Sequence, residues 1–208
     1  MPAEPTSIDS QRRVSSLRLS LLAFVLTFGT AVLSLALSRY LSHLNPIWWS
    51  NGVLLAAVLA SRKRAWPMLL AAGGAAILLA HVAVIQTFSF AVVLLDLCNV
   101  VEVLVAAWVL RVWMGESFDL TGTEKLWRFV LTAVLIAPCI SGIFATLLHH
   151  YLEGIPFLQA MMQWYFADAL GIATATPVAF ALYRGQMQDI WRKDASRQNI
   201  PCFCCWRW

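Results

Sequence analysis

Four polar side chains stand apart from their apolar neighbours. Asp96, Asn99 and Glu102 follow one another at three-residue steps in one long apolar stretch. Asp168 lies in the middle of another, Trp164 to Pro177, which reads Trp-Tyr-Phe-Ala-Asp-Ala-Leu-Gly-Ile-Ala-Thr-Ala-Thr-Pro. A charged side chain at membrane depth costs about 2.5–3.5 kcal/mol on insertion scales, so it turns toward protein or water rather than lipid. Two chemistries suit such groups. They can hydrogen-bond to polar groups on neighbouring helices and hold a bundle together, or they can line a polar pocket that receives a ligand. The residues alone leave both open. Carboxyl groups can also do general acid–base work, but no nucleophile, metal cluster or second catalytic partner stands beside them in the sequence. No catalytic residue is assigned, and Asn99, Glu102 and Asp168 stand as candidates for a polar core.

These residues reach a common site only if helices present them on the right faces. At helical spacing Trp164, Asp168, Gly171 and Ala175 share one face. Ala167, Gly171 and Ala175 recur every fourth residue, which lets a neighbouring helix approach closely. Asp96, Asn99 and Glu102 drift by about 60° at each step, a slanting band that one helix can turn toward a bundle interior.

Metal chemistry has weak support. His149 and His150 are adjacent and lack the i, i+4 spacing that puts two ligands on one helical face, although Glu153 follows them. His81 stands alone and reads as a hydrogen-bonded residue. Cys202, Cys204 and Cys205 lack the two-pair spacing of a zinc site. Cys98 and Cys139 lie in apolar runs and read as small core residues. No metal and no cofactor are expected.

The chain has 208 residues, is 60% hydrophobic and has a mean hydropathy of +0.71, with the apolar residues in long blocks. The fold class is therefore all-α, a polytopic transmembrane helix bundle of about six helices. Residues 1–16 form a polar N-terminal segment, 17–185 the integral membrane domain and 186–208 a tail. The first helix runs over 17–37, too long for the core of a cleaved signal peptide. A second segment, 46–60, is short for a span and starts as an irregular turn, which membranes permit where protein covers the backbone. Helices follow over 66–85, 88–113, 126–148 and 160–183. The fifth should kink at Pro138 and Ser141-Gly142. The ending Ile-Pro-Cys-Phe-Cys-Cys-Trp-Arg-Trp has no helical period and reads as an altered reading frame or a truncated product.

The net charge of +4 does not indicate nucleic-acid binding, because the basic residues sit between the apolar blocks. Six crossings place fourteen of the 15 Lys and Arg on one side and Arg39 on the other. By the positive-inside rule both termini face the cytoplasm of a bacterial inner membrane.

Three separated motifs resemble a known family, the membrane-associated sensor domain of the first MASE type. The first is Trp49-Ser50-Asn51-Gly52-Val53 followed by Arg64-Ala65-Trp66-Pro67, where the family has Trp-Pro-Pro-x-Gly and then a basic residue before Trp-Pro. Here two tryptophans and a serine replace the Pro-Pro portion. The second is Asn99-Val100-Val101-Glu102, on a helix that ends Val109-Leu110-Arg111, similar to the family's Asn-x-x-Glu-Ala-Leu and Leu-Leu-Arg. The third is Trp164 to Pro177, similar to Trp-Trp-x-x-Asp-x-x-Gly followed by Thr-Pro, with Tyr165 in place of the second Trp. Trp49, Asn51, Gly52, Trp66, Pro67, Trp164, Gly171 and Pro177 are thus motif positions with structural roles. The resemblance covers residues 17–185. It implies a non-catalytic input module whose partners are the lipid bilayer and a membrane-bound signalling enzyme, or a second copy of the chain. In such proteins a diguanylate cyclase, a cyclic-di-GMP phosphodiesterase or a histidine kinase follows, usually after further transmembrane helices. No such output motif occurs in this sequence. Two other readings fit the residues: a small proton- or ion-coupled transporter, against which stands the lack of an internal repeat, and a truncated remnant without function.

Overall fold

The computed structural model describes residues 7–41, 47–115, 120 and 122–197. Among the described residues there are helices and no strands. Helix α1 spans Ser7–Tyr40, α2 Trp49–Ala60, α3 Trp66–Ile85 and α4 Phe90–Met114. A composite fifth element joins α5 (Thr123–Phe129), a π-helical segment (Val130–Ile136) and α6 (Ala137–Glu153), and α7 runs over Phe157–Arg197. Five of these elements are long and apolar enough to cross a membrane, and α2, with 12 residues, is the short sixth.

The short helix is the centre of the bundle. Every residue from Ser50 to Leu59 is buried, so α2 is enclosed on all sides, and beyond Ser50 and Asn51 it is apolar all round. Its most extensive partner is α7, and α1, α4 and α3 cover the remaining sides. At about 1.5 Å per residue, twelve residues rise only about 18 Å, short of a hydrocarbon core of about 30 Å. Immediately before α2, Ile47 and Trp48 are non-helical backbone. That backbone is satisfied by protein: the Ser34 hydroxyl on α1 donates to the carbonyl oxygen of Ile47 at 2.9 Å, and the Trp48 N–H donates to that of Ala167 on α7 at 2.9 Å. The irregular entry expected from the sequence is therefore present, covered as membrane physics requires.

Small residues set the closest approaches. A Cβ on Gly171 would collide with the carbonyl group of Trp48, and one on Gly52 would meet the Gly171 carbonyl oxygen at 2.7 Å. Gly73 gives α3 room against Leu54 of α2, and Gly74 gives it room against Val100 of α4. At the end bearing the basic loops, Arg111 of α4 donates to the carbonyl oxygens of Leu59 and Ser61, both at 2.7 Å, and so satisfies the terminus of α2.

Three elements differ from expectation. The fifth is irregular at Val130–Ile136, ahead of Pro138 rather than at Pro138 and Ser141-Gly142. A proline removes a donor and crowds the carbonyl four residues earlier, so its effect falls on the preceding turn. Thr132 supports that turn with a hydroxyl bond to the Arg128 carbonyl oxygen at 2.6 Å. Helix α4 begins at Phe90, where Ser89 caps it by accepting from the Val92 N–H at 3.3 Å. Helix α7 continues through the polar segment after Tyr183 to Arg197, since Gln, Met, Arg and Lys there are good helix formers. Residues 198–208, where the unusual ending lies, are outside the described residues.

Candidate functional site

Asn51 sits in the first turn of α2 and is completely buried. Its Nδ2 donates to Asn99 Oδ1 on α4 at 2.9 Å and lies 3.4 Å from Glu102 Oε1. Its Oδ1 accepts from the Trp48 indole N–H at 3.2 Å. Asn99 and Glu102 are one turn apart on the buried face of α4, and Asn99 also donates back to the Leu95 carbonyl oxygen at 3.2 Å. On the far side of Glu102, Ser141 of α6 donates its hydroxyl to Oε2. The Trp164 indole N–H of α7 donates in turn to the Ser141 Oγ at 3.3 Å. Asp168 lies one turn beyond Trp164, close enough to Glu102 for the two carboxyl groups to share a hydrogen bond. Such a contact is favourable when one carboxyl carries the proton it donates to the other. One network therefore ties α2, α4, α6 and α7 together through side chains alone.

A cavity of about 330 Å³ sits directly over this network. Asn99, Asp168, Trp48 and Trp164 line it on the network side, and Asp96, His81, His149 and Gln163 line it elsewhere. Its remaining wall is mostly apolar, with Leu35, Ile77, Val92 and Leu95 beside the hydroxyl-bearing Ser38. These residues belong to the halves of α1, α3, α4, α6 and α7 away from the basic loops. The cavity therefore occupies the opposite end of the bundle from Arg62, Lys63 and Arg64. Two carboxyl oxygens, Asp96 Oδ1 and Asp168 Oδ2, are closed off from the cavity itself, and apart from the Glu102–Asp168 contact neither has a hydrogen-bond partner among the described residues.

The structure brings Asn99, Glu102 and Asp168 together. Glu102 lies inside the hydrogen-bond network, while Asn99 and Asp168 belong to both the network and the cavity lining. The motif residues divide by role. Asn51 is the hub of the network and Trp164 a part of it, whereas Gly52 and Gly171 make the α2–α7 approach. Trp49 opens α2, Trp66 is buried at the start of α3 and Pro67 occupies its first turn. Pro177 lies within α7, next to Thr176, whose hydroxyl donates to the Gly52 carbonyl oxygen at 3.1 Å. Sequence reasoning missed Ser141 and Trp48 as network members. Ser141 offered a signal, since a hydroxyl inside a span must find an acceptor. No group of three or more His, Cys, Asp or Glu side chains among the described residues is placed to hold a metal.

The site is thus a side-chain network at the Asn-x-x-Glu and Asp-x-x-Gly positions of an apolar helix bundle. The chain belongs to the MASE1 family, which it matches over residues 17–204. It is similar to the probable diguanylate cyclase DgcE of Escherichia coli (strain K12), with 24% identity over 160 residues. That match covers 77% of this chain and 14% of the relative, so the chain spans a small part of that protein's length. No solved structure matches it.

Proposed function

We propose that this chain is a non-catalytic sensory input module of a bacterial inner membrane. A small molecule entering the cavity changes how α2 and α7 pack, and a membrane-bound signalling enzyme reads the change. The observation that carries this reading is the placement of a ligand-sized cavity on the network that joins four helices. A ligand touching Asn99, Asp168, Trp48 or Trp164 touches groups that also decide the α2–α7 contact. Binding shifts a helix arrangement only to the extent that it favours one arrangement over another, and a shared set of side chains supplies that difference.

Helix α7 is the route outward. It has 41 residues, about 60 Å at the usual rise, roughly twice the hydrocarbon thickness. Its last turns extend past the end of the bundle where the basic loops lie, the cytoplasmic side by the positive-inside rule. The similarity to a probable diguanylate cyclase supports an output of that type.

The test joins the full chain to a diguanylate cyclase domain and measures cyclic di-GMP in cells. Glu102→Gln with Asp168→Asn should shift output away from the parent fusion while membrane levels stay comparable. Unchanged output from a normally inserted double variant would rule out this site as the sensing element.

A further inference from the structure

We infer that a second cavity, between α4 and α6, is a binding site for one acyl chain of a bilayer phospholipid. It is separate from the cavity described above, and the inference does not depend on the sensory reading.

The second cavity has a volume of about 490 Å³. Helix α4 lines it from Leu94 to Val105, and α6 from Ala137 to Leu152. It borders the network through Glu102 and Ser141, two members that do not line the first cavity. Both are buried, and their polar atoms are engaged with each other and with Asn51 and Trp164. Apart from Cys98 and Tyr151, the rest of the lining is aliphatic or phenyl side chain. A polar ligand would lose its hydration here with nothing in return, and water would find no partners. An empty space of this size would forfeit the contacts of its walls. The occupant is therefore apolar.

The bilayer supplies it. Leu97, Val101, Ile140, Phe144, Leu147 and Leu152 line the cavity and are at the same time exposed. The cavity is thus continuous with the lipid-facing surface of two elements long and apolar enough to cross a membrane. Its inner end lies near Val105 and Ala137, midway along the two elements, and its outer end near Leu94 and Leu152, away from the basic loops. The exposed Tyr151 stands at that outer rim, a residue type that favours the headgroup level. From Leu94 to Val105 the helix rises about 17 Å, close to one leaflet of a hydrocarbon core about 30 Å thick.

The dimensions separate an acyl chain from a helix. Spread over that length, about 490 Å³ gives a cross-section of about 30 Å², whereas a helix about 10 Å across needs about 80 Å². The walls point the same way. Helices associate within bilayers through small residues and interhelical hydrogen bonds, because lipid tails are as apolar as leucine. Leu97, Val101, Ile140 and Phe144 offer neither. A chain seated here packs against Ser141 and Glu102, so the lipid reaches the same network that borders the first cavity.

The experiment is photolabelling of the purified full chain in nanodiscs containing a phospholipid with a diazirine in one acyl chain, with the labelled residues mapped by mass spectrometry. We expect labelling concentrated on residues 94–105 and 137–152, well above that on the lipid-facing side of α3. Val101→Trp fills the cavity from α4 and Ile140→Trp fills it from α6, and neither residue belongs to the network. Each should lower labelling of both segments several-fold, while Leu79→Trp, on an exposed position of α3, should leave it unchanged. Having two filling variants keeps the test intact if one fails to insert. Even labelling of all lipid-facing helices, or labelling that neither filling variant reduces, overturns the inference. Labelling by a diazirine-bearing free fatty acid but not by the phospholipid would also overturn it. So would an unlabelled cavity together with copy-to-copy crosslinks from a photoreactive residue placed at position 101, which would give the space to a second copy. Concentrated labelling with unchanged cyclase output in the Val101→Trp fusion upholds the lipid site and leaves the sensory reading to its own test.

Discussion

Asn51, completely buried at the start of the short central helix, donates its amide to Asn99 on α4 at 2.9 Å. This bond joins the first and second family motifs. Because Asn51 also accepts from Trp48 and reaches Glu102, it fixes the register of α2 against α4. In an apolar interior a severed bond of this kind leaves a polar group with no water to replace the partner.

Asn51→Ala should therefore destabilise the fold by about 1–3 kcal/mol, the cost of orphaning the Asn99 and Glu102 acceptors. Thermal unfolding of the purified chain reads this directly. In a cycle with Asn99→Ala the double variant should cost less than the sum of the singles, since both remove one bond. Strict additivity would show that the two residues act separately.

The α2–α7 approach makes a prediction that depends on size alone. Gly171→Ala places a methyl group against the Trp48 carbonyl, in the backbone of the irregular entry to α2, and should cost about 1–3 kcal/mol or more. Gly29→Ala and Gly185→Ala meet nothing within 4 Å and should leave unfolding unchanged. A tolerated Gly171→Ala would mean that the two helices do not pack this closely.

Ser141 is donor to Glu102 and acceptor for Trp164, so its loss cuts the network at α6. Ser141→Ala should destabilise by about 1–3 kcal/mol, and coupling with Glu102→Gln should appear as a non-additive cycle. If Ser141→Ala is silent in unfolding, the α6 branch does not belong to the network.

Arg111 holds the carbonyl oxygens of Leu59 and Ser61 at the opposite end of α2. Arg111→Ala should loosen that terminus, with faster amide hydrogen exchange over Val58–Ser61 than in Gly52–Leu55. Arg111→Lys should restore only part of the protection, because an ammonium lacks the fork that spans two carbonyls. Uniform exchange along α2 in both variants would contradict this role.

The parts of the site legible in the sequence are those whose burial is expensive. Glu102 and Asp168 announce themselves because a carboxyl group within a span needs a partner, and Asn99 follows from its spacing on the same helix. Asn51 was legible only as a motif residue near a turn. Nothing local distinguishes an amide that caps a turn from one that bridges two distant helices, and its partners lie 48 and 51 residues away. Ser141 next to Gly142 resembles a kink signal, and only the rotation of α6 shows its hydroxyl facing Glu102. Helix positions and the short second segment were readable from hydropathy, whereas the length of α7 was not, because the polar run after Tyr183 resembles a loop in composition while favouring helix residue by residue.

The central claim is that occupancy of the cavity sets the helix arrangement read by an output domain. Ala160 lines the cavity, is buried and takes no part in the network. Ala160→Phe fills part of the space without removing a hydrogen bond. The direct measurement is cyclic di-GMP in cells carrying the full chain joined to a diguanylate cyclase domain, with and without this substitution. The expected result is a few-fold shift to a fixed output. A variant present in the membrane at normal levels, with the output and response of the parent, would contradict it.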